Sequence, residues 1–299
     1  MHVFLTGATG FIGSRIVPEL IAAGHQVTGL TRSETGARWL QAAGAQPYRG
    51  TLEEPETLAR GAEGADAVIH TAFDHEFSRF VENCAKDGRV ITALASVLVG
   101  SDRPLIITSG IGLGNVGPGQ PAIEQAVDWN YPNPRVASER AGADAAARGV
   151  SVAVVRLPQV HDPVKQGLIT PYIDNARAKG SVGYLGDGSN RWSAAHVSDV
   201  ARLYRLALEK HEAGARWHAV DEEGVPVRAI AEVVGAGLGL PVVSLSGDEA
   251  AGYFGWLGMF AGLDMIASSA WTRERLGWAT TGPDLLTDLR AMDYRAGAA

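Results

Sequence analysis

The sequence contains one cysteine, Cys84, so no disulfide can form within the chain. Cys84 lies on an apolar helical stripe and is interpreted as a core residue. No apolar run approaches the roughly 20 residues of a membrane-spanning helix, and the N-terminus lacks the pattern of a secretory signal. Positive charge is scarce, with 26 Lys and Arg against 33 Asp and Glu, which argues against a nucleic-acid-binding surface. We therefore expect a cytoplasmic protein that binds neither nucleic acid nor a membrane.

The most informative segment is at the start, where a short apolar run leads into three spaced glycines and a helical pattern. Residues 2–6 resemble a buried parallel strand, and Gly7, Gly10 and Gly13 follow in TGATGFIG. The first glycine allows a sharp turn, the second lets the backbone approach a diphosphate, and the third lets the helix pack on the strand. This context favours a dinucleotide site over an ordinary tight turn. The cofactor-binding candidates between the glycines are Thr9, Phe11 and Ile12.

Apolar, β-branched runs alternate with helical patterns through the first half of the chain. Such alternation is typical of βαβ units, whose parallel strands are joined by right-handed crossovers. The predicted fold class is α/β, a Rossmann-type doubly wound parallel sheet with a smaller C-terminal substrate-binding region. We place the dinucleotide-binding domain at 1–165 and the substrate region at 166–299, interleaved with the last strands of the first. The predicted strands span residues 2–6, 25–32, 46–52, 66–73, 103–110 and the β-branched run 150–160, in which the strand ends at Pro158.

The end of the second predicted strand indicates which dinucleotide is bound. An acidic residue there holds the ribose 2′-hydroxyl of NAD, whereas a basic residue accommodates the 2′-phosphate of NADP. Arg32 ends this strand, and the first acidic residue after the start of the strand is Glu34. We therefore predict NADP as the cofactor, with NAD less favoured. The alternative is that Arg32 is a solvated loop residue.

The sequence does not decide the roles of two other segments. The polar group His70, Asp74, His75 and Glu76 clusters at the end of the fourth strand. Its spacing matches no metal motif, so we expect no metal site and interpret these side chains as loop residues near the cofactor edge. Residues 253–260 contain an aromatic and aliphatic patch that we interpret as core. The alternatives for this patch are a wall over an apolar substrate or part of a homodimer face.

Six motifs resemble, in order, those of the extended short-chain dehydrogenase/reductases, the NAD(P)-dependent epimerase/dehydratase superfamily. They are TGATGFIG at 6–13, VIHTA at 68–72, ITSG at 107–110, VRLPQVHD at 155–162, HVSDVARLY at 196–204 and LGW at 276–278. The likeness covers nearly the whole chain. Together these motifs are specific for the superfamily, but they do not identify a substrate.

The resemblance implies a catalytic trio. In the family, a serine or threonine hydrogen-bonds the substrate oxygen, a tyrosine transfers the proton, and a lysine four residues later binds the nicotinamide ribose. Ser109 and Tyr131 match the first two positions, and Arg135 stands where the family has lysine. Arginine keeps a cation that lowers the pKa of a tyrosine, but its planar group does not copy an ammonium, so a proton donor elsewhere is the alternative. The resemblance further implies Thr71, Ala72, Arg135 and Pro158 as cofactor-binding residues, and His161, Arg191 and His196 are pocket candidates.

These expectations define a function and two rivals. The first hypothesis is an NADPH-dependent oxidoreductase of the carbonyl reductase or alcohol dehydrogenase type, acting on a ketone or aldehyde. The second is an NAD-dependent sugar-nucleotide epimerase or dehydratase, against which Arg32 argues. The third is a non-enzymatic, NADP-sensing regulatory protein, which the replacement of lysine by Arg135 leaves open.

Overall fold

The computed structural model describes residues 1–295. Its strands are β1 His2–Thr6, β2 Gln26–Thr31, β3 Gln46–Arg49, β4 Ala67–His70, β5 Pro104–Gly110, β6 Ser151–Leu157, β7 Gln159–His161, β8 Val182–Leu185, β9 Arg191–His196, β10 Arg216–His218, β11 Glu222–Pro226 and β12 Val242–Leu245. Its α-helices are α1 Gly13–Ala22, α2 Glu34–Ala42, α3 Pro55–Ala62, α4 Phe80–Ser96, α5 Val136–Ala147, α6 Ile169–Lys179, α7 Val197–Glu209, α8 Val227–Leu238, α9 Gly247–Phe254, α10 Gly258–Ala261, α11 Ala270–Leu276 and α12 Leu285–Ala291. Short 3₁₀ helices span Phe77–Arg79, Ile111–Gly114 and Gly255–Leu257.

The main sheet has seven parallel strands in the order β10-β6-β5-β4-β1-β2-β3. Successive side chains of a strand point to opposite faces, so Val3 and Leu5 pack with α1, α2 and α7 on one side, whereas Phe4 packs with α3, α4 and α5 on the other. Helices therefore cover both faces, and the predicted Rossmann-type α/β fold is confirmed.

The predicted sixth strand is divided by Pro158. Residues up to Leu157 belong to β6 in the main sheet, whereas Gln159–His161 form β7, which pairs with β9 in a separate three-stranded sheet. Proline fixes φ and has no backbone N–H, so it cannot donate to a strand ladder. The sixth strand was predicted to end at Pro158, and β6 does end at Leu157, but the pairing of the next three residues with β9 was not predicted. The break directs the chain away from the main sheet beside the predicted site.

The C-terminal region contributes to both parts of the fold. Its strand β10 extends the main sheet beside β6, while a second core forms between the small sheets and helices α6, α8, α9, α10 and α12. Within the aromatic patch, Phe254, Leu257 and Phe260 are buried in this core, whereas Trp256 and Met259 are exposed. Across residues 1–295, none of the helices is both long and apolar enough to span a membrane.

Candidate active site

The glycine-rich turn between β1 and α1 has the shape expected of a diphosphate cradle. Gly7 has a φ of +71°, and a Cβ there would lie 2.6 Å from Thr71 Oγ1. A Cβ on Gly13 would lie 2.0 Å from the carbonyl oxygen of Gly7, so the start of α1 packs directly on the turn. The amide of Gly10 donates to the Gly7 carbonyl at 2.8 Å, which closes the turn. Only glycine fits at the first and last of these positions.

The start of α1 leaves backbone donors free. Within residues 1–295, the amides of Phe11, Ile12 and Gly13 donate to no protein acceptor, α1 has no side-chain cap, and its first turn has no acidic residue. Unpaired amides at a helix N-terminus favour a phosphate, because the donors and the helix dipole both act on negative charge. Thr9, in the same turn, is exposed and its methyl group lies near Gly36 at the start of α2. The cradle thus fits a dinucleotide diphosphate.

The end of β2 is followed by a cationic side chain, and no acidic residue lies within residues 31–33. Thr31 ends the strand buried, and Arg32 follows it with an exposed side chain. Ser33 caps α2 by accepting from the amide of Gly36 at 3.0 Å. Within residues 1–295, Arg32 forms no ion pair, so its guanidinium is available beside the cradle.

A buried polar network lies beneath the ends of β1 and β4. Thr6 Oγ1 is 2.7 Å from His70 Nδ1, and His70 Nε2 is 3.1 Å from Asp87 Oδ1 on α4. Because an ionised carboxylate only accepts hydrogen bonds, His70 Nε2 carries the hydrogen and Nδ1 accepts from Thr6. Thr71 Oγ1 donates to the Thr6 carbonyl, and the amide of Ala72 donates to Thr6 Oγ1. The network therefore fixes the cofactor-binding candidates Thr71 and Ala72 against the glycine turn.

Arg135 contacts three elements at once. Its NH1 lies 2.8 Å from Asp87 Oδ2, its NH2 donates to the Thr108 carbonyl at 3.1 Å, and its guanidinium carbon lies 4.0 Å above the centroid of the Phe73 ring. Burial alone raises the pKa of Asp87, but the Arg135 charge and hydrogen bonds from His70 and other neighbours outweigh it and lower the pKa to about 2. Arg135 thus holds α4, β5 and the segment after β4 together at the carboxyl edge of the sheet.

Ser109 offers an unpaired hydroxyl at this edge. It is buried at the end of β5, and its Oγ has no hydrogen-bond partner among residues 1–295. The neighbouring Thr108 hydroxyl is already used, since it donates to the His70 carbonyl at 2.7 Å and lies 2.6 Å from the Tyr204 hydroxyl. A buried unpaired hydroxyl is costly unless a ligand completes it. Ser109, unlike Thr108, is therefore free to bind a substrate oxygen.

Tyr131 lies before α5, not on it. Its ring packs across Gly112, where an added Cβ would lie 2.4 Å from the phenolic oxygen. Burial, followed by the charge of Asp128, raises the pKa of Tyr131. No hydrogen bond joins Tyr131 to Arg135 or Ser109 among the described residues. Tyr131 therefore packs on the 3₁₀ helix that follows β5, whereas Arg135 contacts β5 through the Thr108 carbonyl, and no hydrogen bond joins the two side chains.

Of the remaining sequence candidates, Pro158 lies at the site, whereas His161, Arg191 and His196 contact other residues of the protein. Pro158 lies at the carboxyl end of β6, on the edge where Ser109 ends β5. His161 is buried and pairs with Asp288, 2.7 Å away, and His196 caps α7. Arg191 pairs with Asp264 at 2.7 Å on the surface. These three predicted pocket residues thus take part in contacts within the C-terminal region. Residues 1–295 contain no grouping of three or more His, Cys, Asp or Glu side chains that suits a metal ion.

An aromatic row extends from Arg135 to the C-terminal region. Phe73 lies under the Arg135 guanidinium and makes an edge contact with His75, whose ring neighbours Phe77. Phe77 in turn stacks on Trp256, with ring centroids 4.1 Å apart and planes 10° from parallel. The row therefore bridges the segment after β4 and the exposed edge of the C-terminal patch.

Sequence reasoning missed Asp87, Ser138 and Tyr204. Ser138 Oγ donates to Asp87 Oδ2 at 2.6 Å, and the fully buried Tyr204 contacts Thr108. The sequence did contain a sign of this network, because the charged residues Lys86 and Asp87 interrupt the apolar stripe of α4. Both side chains are buried in the structure. His70 is likewise the last residue of a buried strand and not the loop residue that its polar neighbours indicated.

Comparison with known proteins assigns the chain to a family. The model of the NAD dependent epimerase/dehydratase family matches residues 3–220. An uncharacterized protein of Schizosaccharomyces pombe is 44% identical, with 98% of this chain and all of the relative covered. Sterol-4-alpha-carboxylate 3-dehydrogenase, decarboxylating, of Dictyostelium discoideum is 30% identical over 76% of this chain and 73% of its own. A 2-alkyl-3-oxoalkanoate reductase of Stenotrophomonas maltophilia is 27% identical over 81% and 77%.

Solved structures share this fold. The dTDP-glucose 4,6-dehydratase of Streptomyces venezuelae, solved with NAD bound, superposes with a TM-score of 0.76 at 19% identity, over 99% of this chain and 98% of that one. The chain belongs to the NAD-dependent epimerase/dehydratase family, and the resemblance of its six motifs to the extended short-chain dehydrogenase/reductases is confirmed. The named relatives and structural neighbours are NAD(P)-dependent enzymes of the oxidoreductase and epimerase type, which supports the same broad class for this chain.

Proposed function

We propose that this chain is an NADPH-dependent oxidoreductase that transfers hydride between nicotinamide and the carbon of a ketone or aldehyde. The observation that carries the choice of NADP is the end of β2, where the exposed Arg32 follows the strand directly. A guanidinium recognises a 2′-phosphate through charge-assisted hydrogen bonds, whereas an NAD site uses a carboxylate on the 2′-hydroxyl. The reductase and dehydrogenase names of two curated relatives favour the reaction type.

The residues at the end of β5 receive distinct roles in this proposal. NADPH supplies a hydride to the carbonyl carbon, and the protein must orient the carbonyl and provide a proton to its oxygen. The unpaired hydroxyl of Ser109 hydrogen-bonds that oxygen. Tyr131 is the proposed proton donor, and Arg135 is proposed to lie beside the nicotinamide ribose while it holds the segment after β4.

The aromatic row supports a fairly apolar substrate. Phe73, Phe77 and Trp256 present ring surface on the side of the site that faces the C-terminal region. Apolar walls with a few placed polar groups are typical of small-molecule sites. A small or medium ketone or aldehyde with an apolar body therefore suits the site better than a heavily hydroxylated one.

Cofactor titration tests the NADP assignment. We expect NADPH to bind more tightly than NADH, and Arg32→Glu to weaken NADPH by at least about tenfold through loss of a charge-assisted contact. The matched control is Arg148→Glu, because Arg148 is exposed at the C-terminus of α5, at the opposite edge of the sheet. Preference of the wild-type chain for NADH would contradict the assignment.

A carbonyl-reduction screen that follows NADPH absorbance tests the reaction. Ser109→Ala and Tyr131→Phe should each lower kcat, because one loses the hydrogen bond to the carbonyl oxygen and the other loses the proton donor. Loss of activity should be greater than any change in NADPH affinity. Unchanged turnover in Tyr131→Phe would remove this tyrosine from the chemistry.

One observation favours a second function, an NADP-binding protein without turnover. Tyr131 has no hydrogen bond to Arg135, and its pKa is raised where the family chemistry needs it lowered. This function predicts tight NADPH binding and no oxidation of NADPH with any carbonyl in the screen. Turnover that depends on Ser109 would exclude it.

A further inference from the structure

The segment between β7 and α6 forms a fixed turn against the glycine-rich cradle. Asp162 Oδ1 accepts from the amides of Val164 and Lys165 at 2.8 and 2.7 Å, and the side-chain amide of Gln166 donates to the Asp162 carbonyl. These bonds define the turn, which spans residues 162–166. The carboxylate is almost fully buried, so the turn is shaped by contacts that solvent does not disrupt.

An ion pair fixes this turn to the first helix. The other carboxylate oxygen, Asp162 Oδ2, lies 3.3 Å from Arg15 NH2 in the first turn of α1. One carboxylate thus shapes the turn through Oδ1 and holds it against α1 through Oδ2. The consequence is that whatever side chain the turn presents has a defined position relative to the free amides at the start of α1.

That side chain is Lys165. Its Nζ lies 5.9 Å from the centroid of the Phe11 ring, in the middle of the glycine turn. Burial, followed by the charges of Arg135 and Lys165, lowers the pKa of His75 in the segment after β4. Lys165 therefore lies beside the glycine turn, past which a dinucleotide diphosphate runs in this fold. Lys165 is exposed and pairs with no carboxylate within residues 1–295, so its ammonium is available to a ligand.

We propose that Lys165 binds the diphosphate of the dinucleotide beside the cradle amides. This inference rests on the proposed dinucleotide site and adds a residue outside its six motifs. The amides of Phe11 and Ile12 donate hydrogen bonds from α1, and the Lys165 ammonium supplies the positive charge that the cradle lacks. Arg15 is a positioning residue, because its guanidinium is directed to Asp162 and holds the turn in place.

Equilibrium binding to the full-length chain tests this role without turnover. The variants are Lys165→Met, Lys165→Arg and the matched control Arg148→Met, which removes an equal charge at the opposite edge of the sheet. The ligands are NADPH, 2′-phospho-ADP-ribose, which keeps the diphosphate and lacks nicotinamide, and 2′-AMP, which lacks the diphosphate. NADPH fluorescence gives the first affinity, and displacement of NADPH gives the other two.

We expect Lys165→Met to weaken NADPH and 2′-phospho-ADP-ribose by about tenfold, the size of one charge-assisted contact at a partly exposed site. Binding of 2′-AMP should stay unchanged, Lys165→Arg should retain most of the affinity, and Arg148→Met should match the wild type. Unchanged NADPH binding in Lys165→Met overturns the proposal, and so does an equal loss for 2′-AMP, which would indicate a structural effect. Absence of carbonyl turnover in a chain that binds NADPH contradicts the proposed reaction alone.

Discussion

The ion pair between Arg135 and Asp87 gives the sharpest test of how the site is held together. Replacing Arg135 with Met removes the guanidinium but leaves Asp87 ionised and buried, with its side chain 1% exposed. Two hydrogen-bonding neighbours remain, since His70 Nε2 and Ser138 Oγ lie 3.1 and 2.6 Å from the carboxylate. Removing one partner of a buried pair costs about 3 to 5 kcal/mol. Arg135 is 15% exposed, so we expect the lower end of this range.

The pH dependence supplies an independent measure of the same interaction. The folded-state pKa of Asp87 is about 2, below its ordinary value of 3.8. The shift corresponds to about 2.5 kcal/mol of stability, at 1.36 kcal/mol for each pKa unit. Because the folded pKa is depressed, this stability is present above pH 3.8 and is lost as the pH falls toward 2. Arg135→Met removes the main attraction that depresses the pKa, so the carboxyl of the variant protonates at a higher pH than that of the wild type, and the deficit should be smaller at pH 3.5 than at pH 7.

Urea denaturation followed by circular dichroism measures both effects. At pH 7 we expect Arg135→Met to lose about 3 kcal/mol of unfolding free energy. The double variant with Asp87→Asn should lose less than the sum of the single variants, because the buried charge is then absent. A cost below about 1 kcal/mol for Arg135→Met, or a deficit that is the same at pH 7 and pH 3.5, would refute the reasoning.

Three further predictions test the cradle and the buried groups. Gly13→Ala should abolish NADPH binding and lower Tm, because the new Cβ would lie 2.0 Å from the Gly7 carbonyl oxygen. The control Gly64→Ala should change neither, because no atom lies within 4 Å of the new Cβ. Burial lowers the pKa of His218 to about 3, so this side chain stays neutral in the folded state. The free energy of unfolding should therefore fall below pH 6.5 by about 1.4 kcal/mol per pH unit. Urea denaturation at pH 7 and 5.5 should show that a His218→Gln variant lacks this component. Burial also raises the pKa of the Cys84 thiol to about 11, so a thiol reagent should label the chain once, and only after unfolding.

The fold was predictable because its signals are local. The buried run of β1 and the three glycines that follow lie within 13 residues, and each glycine has a steric reason that can be stated from sequence. The alternation of strands and helices then determines a parallel sheet. The break at Pro158 was also present in the sequence, but its consequence depends on β9, the distant strand with which the separated piece pairs.

The candidate site was only partly predictable because its contacts are distant in sequence. Asp87 and His70 lie 17 residues apart on a helix and a strand, and no periodicity shows that they meet. The stack of Phe77 on Trp256 joins residues whose separation exceeds half the chain. The sequence interpreted the whole patch at 253–260 as core, and it could not show that Trp256 and Met259 would be exposed.

Arg135 occupies the position of the family's lysine, but it makes contacts that a lysine could not make. Its guanidinium uses one nitrogen for Asp87, another for the Thr108 carbonyl, and its flat face for Phe73. A lysine ammonium has no planar face and could not make all three contacts from one position. Arg135 therefore aligns the ends of β4 and β5, and this role is independent of any proton transfer that we propose beside it. Ser109, whose hydroxyl is unpaired at the end of β5, depends on that alignment for its position at the proposed substrate site.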